Sequence, residues 1–150
     1  MARPIQILYA TVSGNAEQLA GLAAARLQAA GYPSAVANIA EFPVSRLGGS
    51  DVALLIVSTW GYGEPPPDAE AFCAALQAEN PPKLPLLRYA VLALGSRSYT
   101  EFCWCGRRID EGLAGCGARR LLPRVECDTK YLADFEAWID ALLKILPKTV

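Results

Sequence analysis

Residues 51–68 read DVALLIVSTWGYGEPPPD, an apolar run that passes directly into a loop rich in glycine, proline and aromatic residues. The run is apolar at consecutive positions, which is the pattern of a strand buried on both faces of a parallel sheet. A loop that only redirects the chain needs no tryptophan. The composition of this loop therefore predicts that something flat lies against it.

Segments with strand and helix character alternate along the rest of the chain. Alternation of this kind predicts an α/β fold, a parallel sheet with helices on both faces. No linker or repeat divides the sequence, so residues 1–150 are expected to form one domain. Pro123 suggests an edge position for the last strand, because proline cannot donate a hydrogen bond to the ladder. The predicted strands are 5–10, 34–41, 51–59, 89–96 and 119–128, and the predicted helices are 15–31, about 68–79, about 100–115 and 132–146.

The composition excludes several classes of protein. Hydrophobic residues make up 53% of the 150 residues, charged residues make up 19%, and the formal net charge is −1. A disordered chain would be less apolar, and a protein that binds nucleic acid or a membrane surface would show a basic patch. No apolar run reaches the roughly 18 residues of a membrane span. The N-terminus does not resemble a secretory signal, so a cytoplasmic location is expected.

Cysteine and histidine usage narrows the chemistry further. The chain has five cysteines and no histidine, which favours reduced thiols in a cytosolic protein over a disulfide framework. Without histidine or a CxxC pair, no metal site is predicted. Catalytic triads that use histidine are excluded, and no catalytic residue is predicted.

The first loop, residues 11–16 (TVSGNA), joins the first predicted strand to the first predicted helix. The N–H groups at a helix start attract anions, and the hydroxyl and amide side chains of this loop can donate to phosphate oxygens. The other interpretation is an ordinary turn in which Ser13 or Asn15 caps the helix. The loop is not a GxxxxGK[ST] motif, which disfavours hydrolysis of a nucleoside triphosphate.

Two further loops, the second loop (residues 58–68) and the third loop (residues 94–103, LGSRSYTEFC), follow two buried strands. Ligands of open parallel sheets bind beyond the carboxyl ends of the strands, where these loops begin. Trp60 and Tyr99 can stack on the two faces of a planar ring, and Gly61 and Gly63 allow the main chain to approach its edge. The alternative is that both aromatic side chains only cap the core.

Three motifs, TVSGNAE, STWGYGEPPPDAEAF and ALGSRSYTEFC, occur in the order in which they occur in the flavodoxin family. The sequence closely resembles short-chain members of that family and the FMN domains of diflavin reductases, from the first strand to about residue 128. The resemblance implies a flavodoxin-like three-layer sandwich with a five-stranded parallel sheet in the order 2-1-3-4-5. It also implies FMN as the cofactor.

The resemblance assigns roles to individual residues. It implies that the first loop holds the FMN phosphate, that Trp60 and Tyr99 flank the isoalloxazine ring, and that the Gly61 peptide can turn toward flavin N5. Asp128 is expected near the ribityl chain or the ring edge. The predicted cofactor-binding residues are Thr11, Val12, Ser13, Gly14, Asn15, Ala16, Ser58, Thr59, Trp60, Gly61, Tyr62, Gly63, Leu94, Gly95, Ser96, Tyr99, Phe102, Cys103 and Asp128.

Three functions of different classes fit these motifs. The leading hypothesis is a monomeric, non-catalytic carrier that moves single electrons from an NAD(P)H-dependent flavodoxin reductase to an acceptor protein, with no nucleic acid or membrane as partner. The second is an NAD(P)H-dependent flavin or quinone reductase on the same fold, which would need a nicotinamide site. The third is a binding module that has lost its cofactor. The fold does not decide among them; the site does.

Overall fold

The computed structural model describes residues 4–10, 14–49, 51–58, 69–76, 78, 83–95, 104–127 and 130–146, apart from the side chains of five of these residues. The described strands are β1 (Ile5–Ala10), β2 (Ser34–Asn38), β3 (Val52–Ser58), β4 (Arg88–Leu94), β5 (Arg119–Arg120) and β6 (Val125–Cys127). The described α-helices are α1 (Asn15–Ala29), α2 (Glu70–Leu76), α3 (Trp104–Gly115) and α4 (Leu132–Ile145). Strands and helices alternate as the sequence predicted.

The strands form one parallel sheet in the order β2-β1-β3-β4-β5, which confirms the predicted order. Strand β3 lies at the centre, paired with β1 on one side and with β4 on the other. Residues 52–57 of β3 are at most 1% exposed, because a strand lies on each side of β3 and helices cover both of its faces. The uninterrupted apolar run in the sequence reflects this position.

Helices cover both faces of the sheet and produce two separate cores. On one face, α2 and α3 pack on alternate residues of the central strands, and Phe72 and Ile109 are buried there. On the other face, α1 and α4 pack on the intervening residues, with Leu19, Phe135 and Trp138 buried. The fold is therefore the predicted three-layer sandwich, with alternate side chains of each strand in different cores.

The outermost predicted strand, residues 119–128, is broken into β5 and β6, which both pair with β4. The predicted last strand region thus occupies the fifth position of the sheet as two short strands. Between the two pairings, β4 advances by three residues, from Tyr89 to Leu92, whereas the outer strand advances by five, from Arg120 to Val125. The extra residues bulge out of the sheet around Pro123, which has no N–H to donate, and a sheet edge tolerates such a bulge.

Other element boundaries also differ from the prediction by a few residues. The second strand ends at Asn38, and its side-chain oxygen accepts a hydrogen bond of 2.8 Å from the Ala40 N–H. That bond starts a 3-10 turn over Ile39–Glu41, in residues that the sequence had placed in the strand. The fourth strand ends at Leu94. None of the described helices is long and apolar enough to cross a membrane.

Candidate functional site

The carboxyl ends of β1, β3 and β4 meet at one edge of the sheet. Ala10, the last residue of β1, is in register with Val57, and Ser58, the last residue of β3, is in register with Leu94 at the end of β4. The three loops predicted to bind the cofactor follow these ends in the sequence. The parallel register therefore brings their starting points together, as a composite binding site requires.

Helix α1 begins at this edge with a glycine cap. Gly14 is the N-cap residue and has φ of +92°, in the left-handed region that glycine adopts without a steric penalty. A Cβ added there would have no atom within 4 Å, so the backbone conformation and not the space requires glycine. Asn15, one of the two candidate caps, is the first residue of α1 and not its cap, and the other candidate, Ser13, lies outside the described residues.

The start of α1 offers hydrogen-bond donors to an anion. The Gln18 N–H donates to the Gly14 carbonyl at 3.1 Å. In an α-helix the preceding N–H groups of the first turn have no carbonyl acceptor within the helix, and a glycine cap has no side chain to satisfy them. Ala16 is fully buried and fixes the first turn against the sheet. This geometry fits a phosphate group held by backbone N–H groups and the helix dipole.

The ends of β3 and β4 form the second part of the site. Ser58 is half-buried, whereas Leu94 is only 5% exposed. The Gly95 N–H donates to the Cys127 carbonyl at 3.0 Å, which holds the start of the third loop against the end of β6. Asp128 follows Cys127 in the sequence and lies outside the described residues.

The described residues include six of the predicted cofactor-binding residues, and all six lie at this edge: Gly14, Asn15, Ala16, Ser58, Leu94 and Gly95. The remaining predictions lie outside the described residues, and they stay predictions: Thr11, Val12, Ser13, Thr59, Trp60, Gly61, Tyr62, Gly63, Ser96, Tyr99, Phe102, Cys103 and Asp128.

A buried carboxylate that the sequence reasoning missed ties the outer strands to α3. Asp110 is 1% exposed, and it is the one buried charged residue in the described part of the chain. Its carboxylate accepts hydrogen bonds from the Tyr89 hydroxyl at 2.7 Å, from Arg120 Nε at 2.7 Å and from Arg124 Nη1 at 2.6 Å. One side chain of α3 thus holds β4, β5 and the bulge that precedes β6.

A second carboxylate extends this ion-pair network toward the site. Glu126 in β6 accepts from Arg107 Nε at 2.8 Å and from Arg124 Nε at 2.9 Å. The hydrogen bond from Arg107 is the largest cause that lowers the pKa of Glu126, and Arg124 adds to it against the effect of burial. Burial, and then the hydrogen bond to Asp110, raise the pKa of Tyr89. Glu126 is therefore ionised and Tyr89 neutral at pH 7.

The described cysteines are packing residues. Cys73, Cys116 and Cys127 are buried thiols, and they pack as small apolar side chains. Burial, and to a lesser extent the charge of Asp134, raise the pKa of Cys127 to about 12. Its thiol therefore stays protonated at the end of β6 and provides no thiolate beside the site.

The sheet order and the glycine-capped helix start at the carboxyl edge define a flavodoxin-like α/β protein. Comparison with known proteins leads to the same class. The Flavodoxin family model matches residues 7–138. The crystal structure of oxidised Flavodoxin 2 from Bacillus cereus superimposes with a TM-score of 0.82 at 28% identity, covering 96% of this chain and 100% of that one.

Longer flavoproteins are also similar in sequence. The sulfite reductase [NADPH] flavoprotein alpha-component of Bacillus subtilis (strain 168) is 37% identical over 144 residues, which are 96% of this chain. The protein of the same name from Shewanella sp. (strain MR-7) is 40% identical over 147 residues, or 97% of the chain. The chain spans about a quarter (24%) of the length of either relative.

The chain belongs to the flavodoxin family. This membership confirms the fold and the family inferred from the three motifs, and it confirms FMN as the cofactor and electron transfer as the function. The described residues at the carboxyl edge are compatible with that cofactor, since the start of α1 suits a phosphate group and the ends of β3 and β4 meet at the same edge of the sheet.

Proposed function

We propose that the protein is a single-electron carrier between an NAD(P)H-dependent flavoprotein reductase and an electron-acceptor protein. The observation that carries the proposal is the glycine-capped start of α1 at the same edge of the sheet as the ends of β3 and β4. One site for an anion and one for a ring, on a single edge of the sheet, suit a mononucleotide. They leave little of the chain for a second, nicotinamide site.

The bound FMN would supply the redox chemistry, since a flavin can accept and release single electrons, and the protein would bind and orient it. The N–H groups at the start of α1 would hold the phosphate, together with Thr11 and Ser13. The second and third loops would cover the two faces of the ring through Trp60 and Tyr99. An arrangement that covers the faces leaves an edge of the ring open to a docked partner.

The similarity to the flavoprotein alpha-component of NADPH-dependent sulfite reductases supports the choice of partners. We propose NADPH as the ultimate electron source, with a flavoprotein reductase as the direct donor, either as a separate protein or as a further part of the same polypeptide. The acceptor would be a protein with a one-electron redox centre. We place the protein in the cytoplasm as a monomer, and the buried thiols of the described cysteines agree with that compartment.

Trp60→Ala is expected to weaken flavin binding by about 1–3 kcal/mol, because a large stacked aromatic side chain is removed from the ring. FMN and riboflavin should lose affinity by the same factor, since the change leaves the phosphate contacts in place. Titration of apoprotein with each ligand, followed by quenching of flavin fluorescence, measures both dissociation constants.

Trp60→Phe is the matched control for this experiment, because it keeps an aromatic face and should retain most of the affinity. If Trp60→Ala leaves both dissociation constants unchanged, Trp60 is a core residue and the second loop does not cover the ring.

A further inference from the structure

We infer that Gly106 is a positioning residue for the flavin ring, because it allows α3 to lie directly on the ends of β3 and β4. The inference rests on the proposed function, in which the third loop covers one face of the ring. The third loop ends at residue 103, and α3 begins at the next residue, Trp104. Gly106 is the third residue of α3. The position of the helix start therefore sets where the end of the third loop is anchored.

The contact at Gly106 leaves no space for a side chain. A Cβ built on Gly106 would lie 2.3 Å from the Cβ of Ala93, 3.3 Å from its Cα and 3.5 Å from Val57 Cγ2. Non-bonded carbon atoms prefer about 3.5–4.0 Å, so the first distance is too short by more than 1 Å. Ala93 and Val57 are fully buried and belong to the two central strands. Neither can move without disturbing the sheet, so the helix would have to move.

The contact lies immediately below the site. Ala93 and Val57 each come one residue before the strand ends at Leu94 and Ser58, which start the third and second loops. Gly106 also begins the buried stripe of α3 that continues through Ile109 and Leu113. A side chain at Gly106 would therefore lift the end of α3 that is nearest the ring, while the rest of the stripe remains available to hold the helix on the sheet.

Helix α3 contains two other glycines that serve as controls. The three atoms nearest to a Cβ on Gly112 would all belong to the Leu76 side chain of α2, the closest at 2.9 Å, on a part of the helix further from the loop. A Cβ on Gly115 would have nothing within 4 Å. Gly112→Ala therefore disturbs packing without touching the strand ends, and Gly115→Ala isolates the effect of alanine on helix propensity.

The test is a titration of the apoprotein variants with riboflavin and FMN, combined with their thermal unfolding. We expect Gly106→Ala to raise the dissociation constants of both ligands by the same factor, about tenfold or more. A misplacement of about 1 Å costs on the order of 100-fold in the rate of an enzyme, and a binding site depends on its supporting residues in the same way. Gly112→Ala should lower the unfolding temperature but leave both constants within twofold. Gly115→Ala should alter neither constant.

A compensating variant keeps the inference falsifiable if Gly106→Ala folds poorly. The double variant Gly106→Ala, Ala93→Gly exchanges the two Cβ positions and removes the 2.3 Å contact. It should recover most of the flavin affinity that Gly106→Ala loses. Failure of the double variant to recover affinity would overturn the inference, as would equal weakening by Gly112→Ala.

The outcome also separates this inference from the proposed function. If Gly106→Ala binds riboflavin as tightly as the wild type while Trp60→Ala binds it weakly, the inference about Gly106 is wrong and the ring site stands. If neither variant weakens riboflavin, both the ring site and the role of Gly106 are wrong.

Discussion

Replacing Asp110 by alanine is expected to lower the free energy of unfolding by about 3 kcal/mol. Removing one partner of a buried ion pair commonly costs about 3–5 kcal/mol, because the remaining charges lose their compensation. The lower end applies here, since the side chains of Arg120 and Arg124 are 41% and 23% exposed and can turn toward water. The Tyr89 hydroxyl also keeps a second acceptor, the Asp110 carbonyl oxygen, at 2.9 Å. Urea unfolding of the apoprotein measures the change.

Glu111→Ala is the control for Asp110→Ala, since Glu111 is the next residue of the same helix and is exposed. It should change the free energy of unfolding by no more than about 0.5 kcal/mol. Asp110→Asn keeps an oxygen acceptor but removes the charge, and it should fall between the two. A loss below about 0.5 kcal/mol for Asp110→Ala would mean that the ion-pair network does not hold the outer strands.

Ser13→Ala is expected to weaken FMN binding by about 1.5–3 kcal/mol, the value of a hydrogen bond to a charged group. This corresponds to a dissociation constant about 10- to 150-fold higher. Riboflavin, which has no phosphate, should bind almost as well as it binds to the wild type. Parallel titrations of the apoprotein with FMN and riboflavin measure the two effects.

Ser13→Thr keeps the hydroxyl and should retain most of the FMN affinity lost in Ser13→Ala. Equal weakening of FMN and riboflavin by Ser13→Ala would contradict the assignment, because the first loop would then affect the ring and not the phosphate. Trp60→Ala should weaken the binding of both ligands equally. Ser13→Ala and Trp60→Ala together therefore assign the phosphate to the first loop and the ring to the second loop.

The features of the fold that depend on local pattern could be predicted from the sequence. The apolar runs of β3 and β4 indicated strands buried on both faces, and the structure places both in the centre of the sheet. The spacing of apolar residues in 132–146 predicted α4, whose Phe135 and Trp138 are buried. Each of these patterns is contained within a single strand or helix, so it can be recognised without knowledge of the rest of the fold.

The features that depend on contacts distant in the sequence could not be predicted. Asp110 is one of several charged residues in its helix, and only the fold brings Arg120 and Arg124 to it. The break in the outer strand follows from the competition between pairing with β4 and the missing N–H of Pro123, which a local apolar pattern does not reveal. The sequence signal of the ion-pair network is the presence of arginines and a carboxylate in both of two nearby segments, RRID (107–110) and RRLLPRVE (119–126).

In the site, too, features set by a local pattern could be predicted and features set by distant contacts could not. Gly14 stood out because it follows a strand and opens a helix, and its positive φ agrees with that interpretation. Gly106 did not stand out, because α3 contains three glycines that look alike in the sequence. Only the packing distances distinguish them: Gly106 lies against the sheet, Gly112 lies against α2, and a Cβ on Gly115 would have no atom within 4 Å.

The carrier proposal is tested most directly by stopped-flow absorbance of the FMN-loaded protein mixed with NADPH alone. The proposal predicts that the flavin stays oxidised for many minutes, because the sequence contains no GxGxxG motif of the kind that binds a nicotinamide dinucleotide. Adding a catalytic amount of a flavodoxin reductase should then reduce it in one-electron steps that are visible in the spectrum. Rapid two-electron bleaching by NADPH without the reductase would contradict the proposal and favour an NAD(P)H-dependent flavin or quinone reductase.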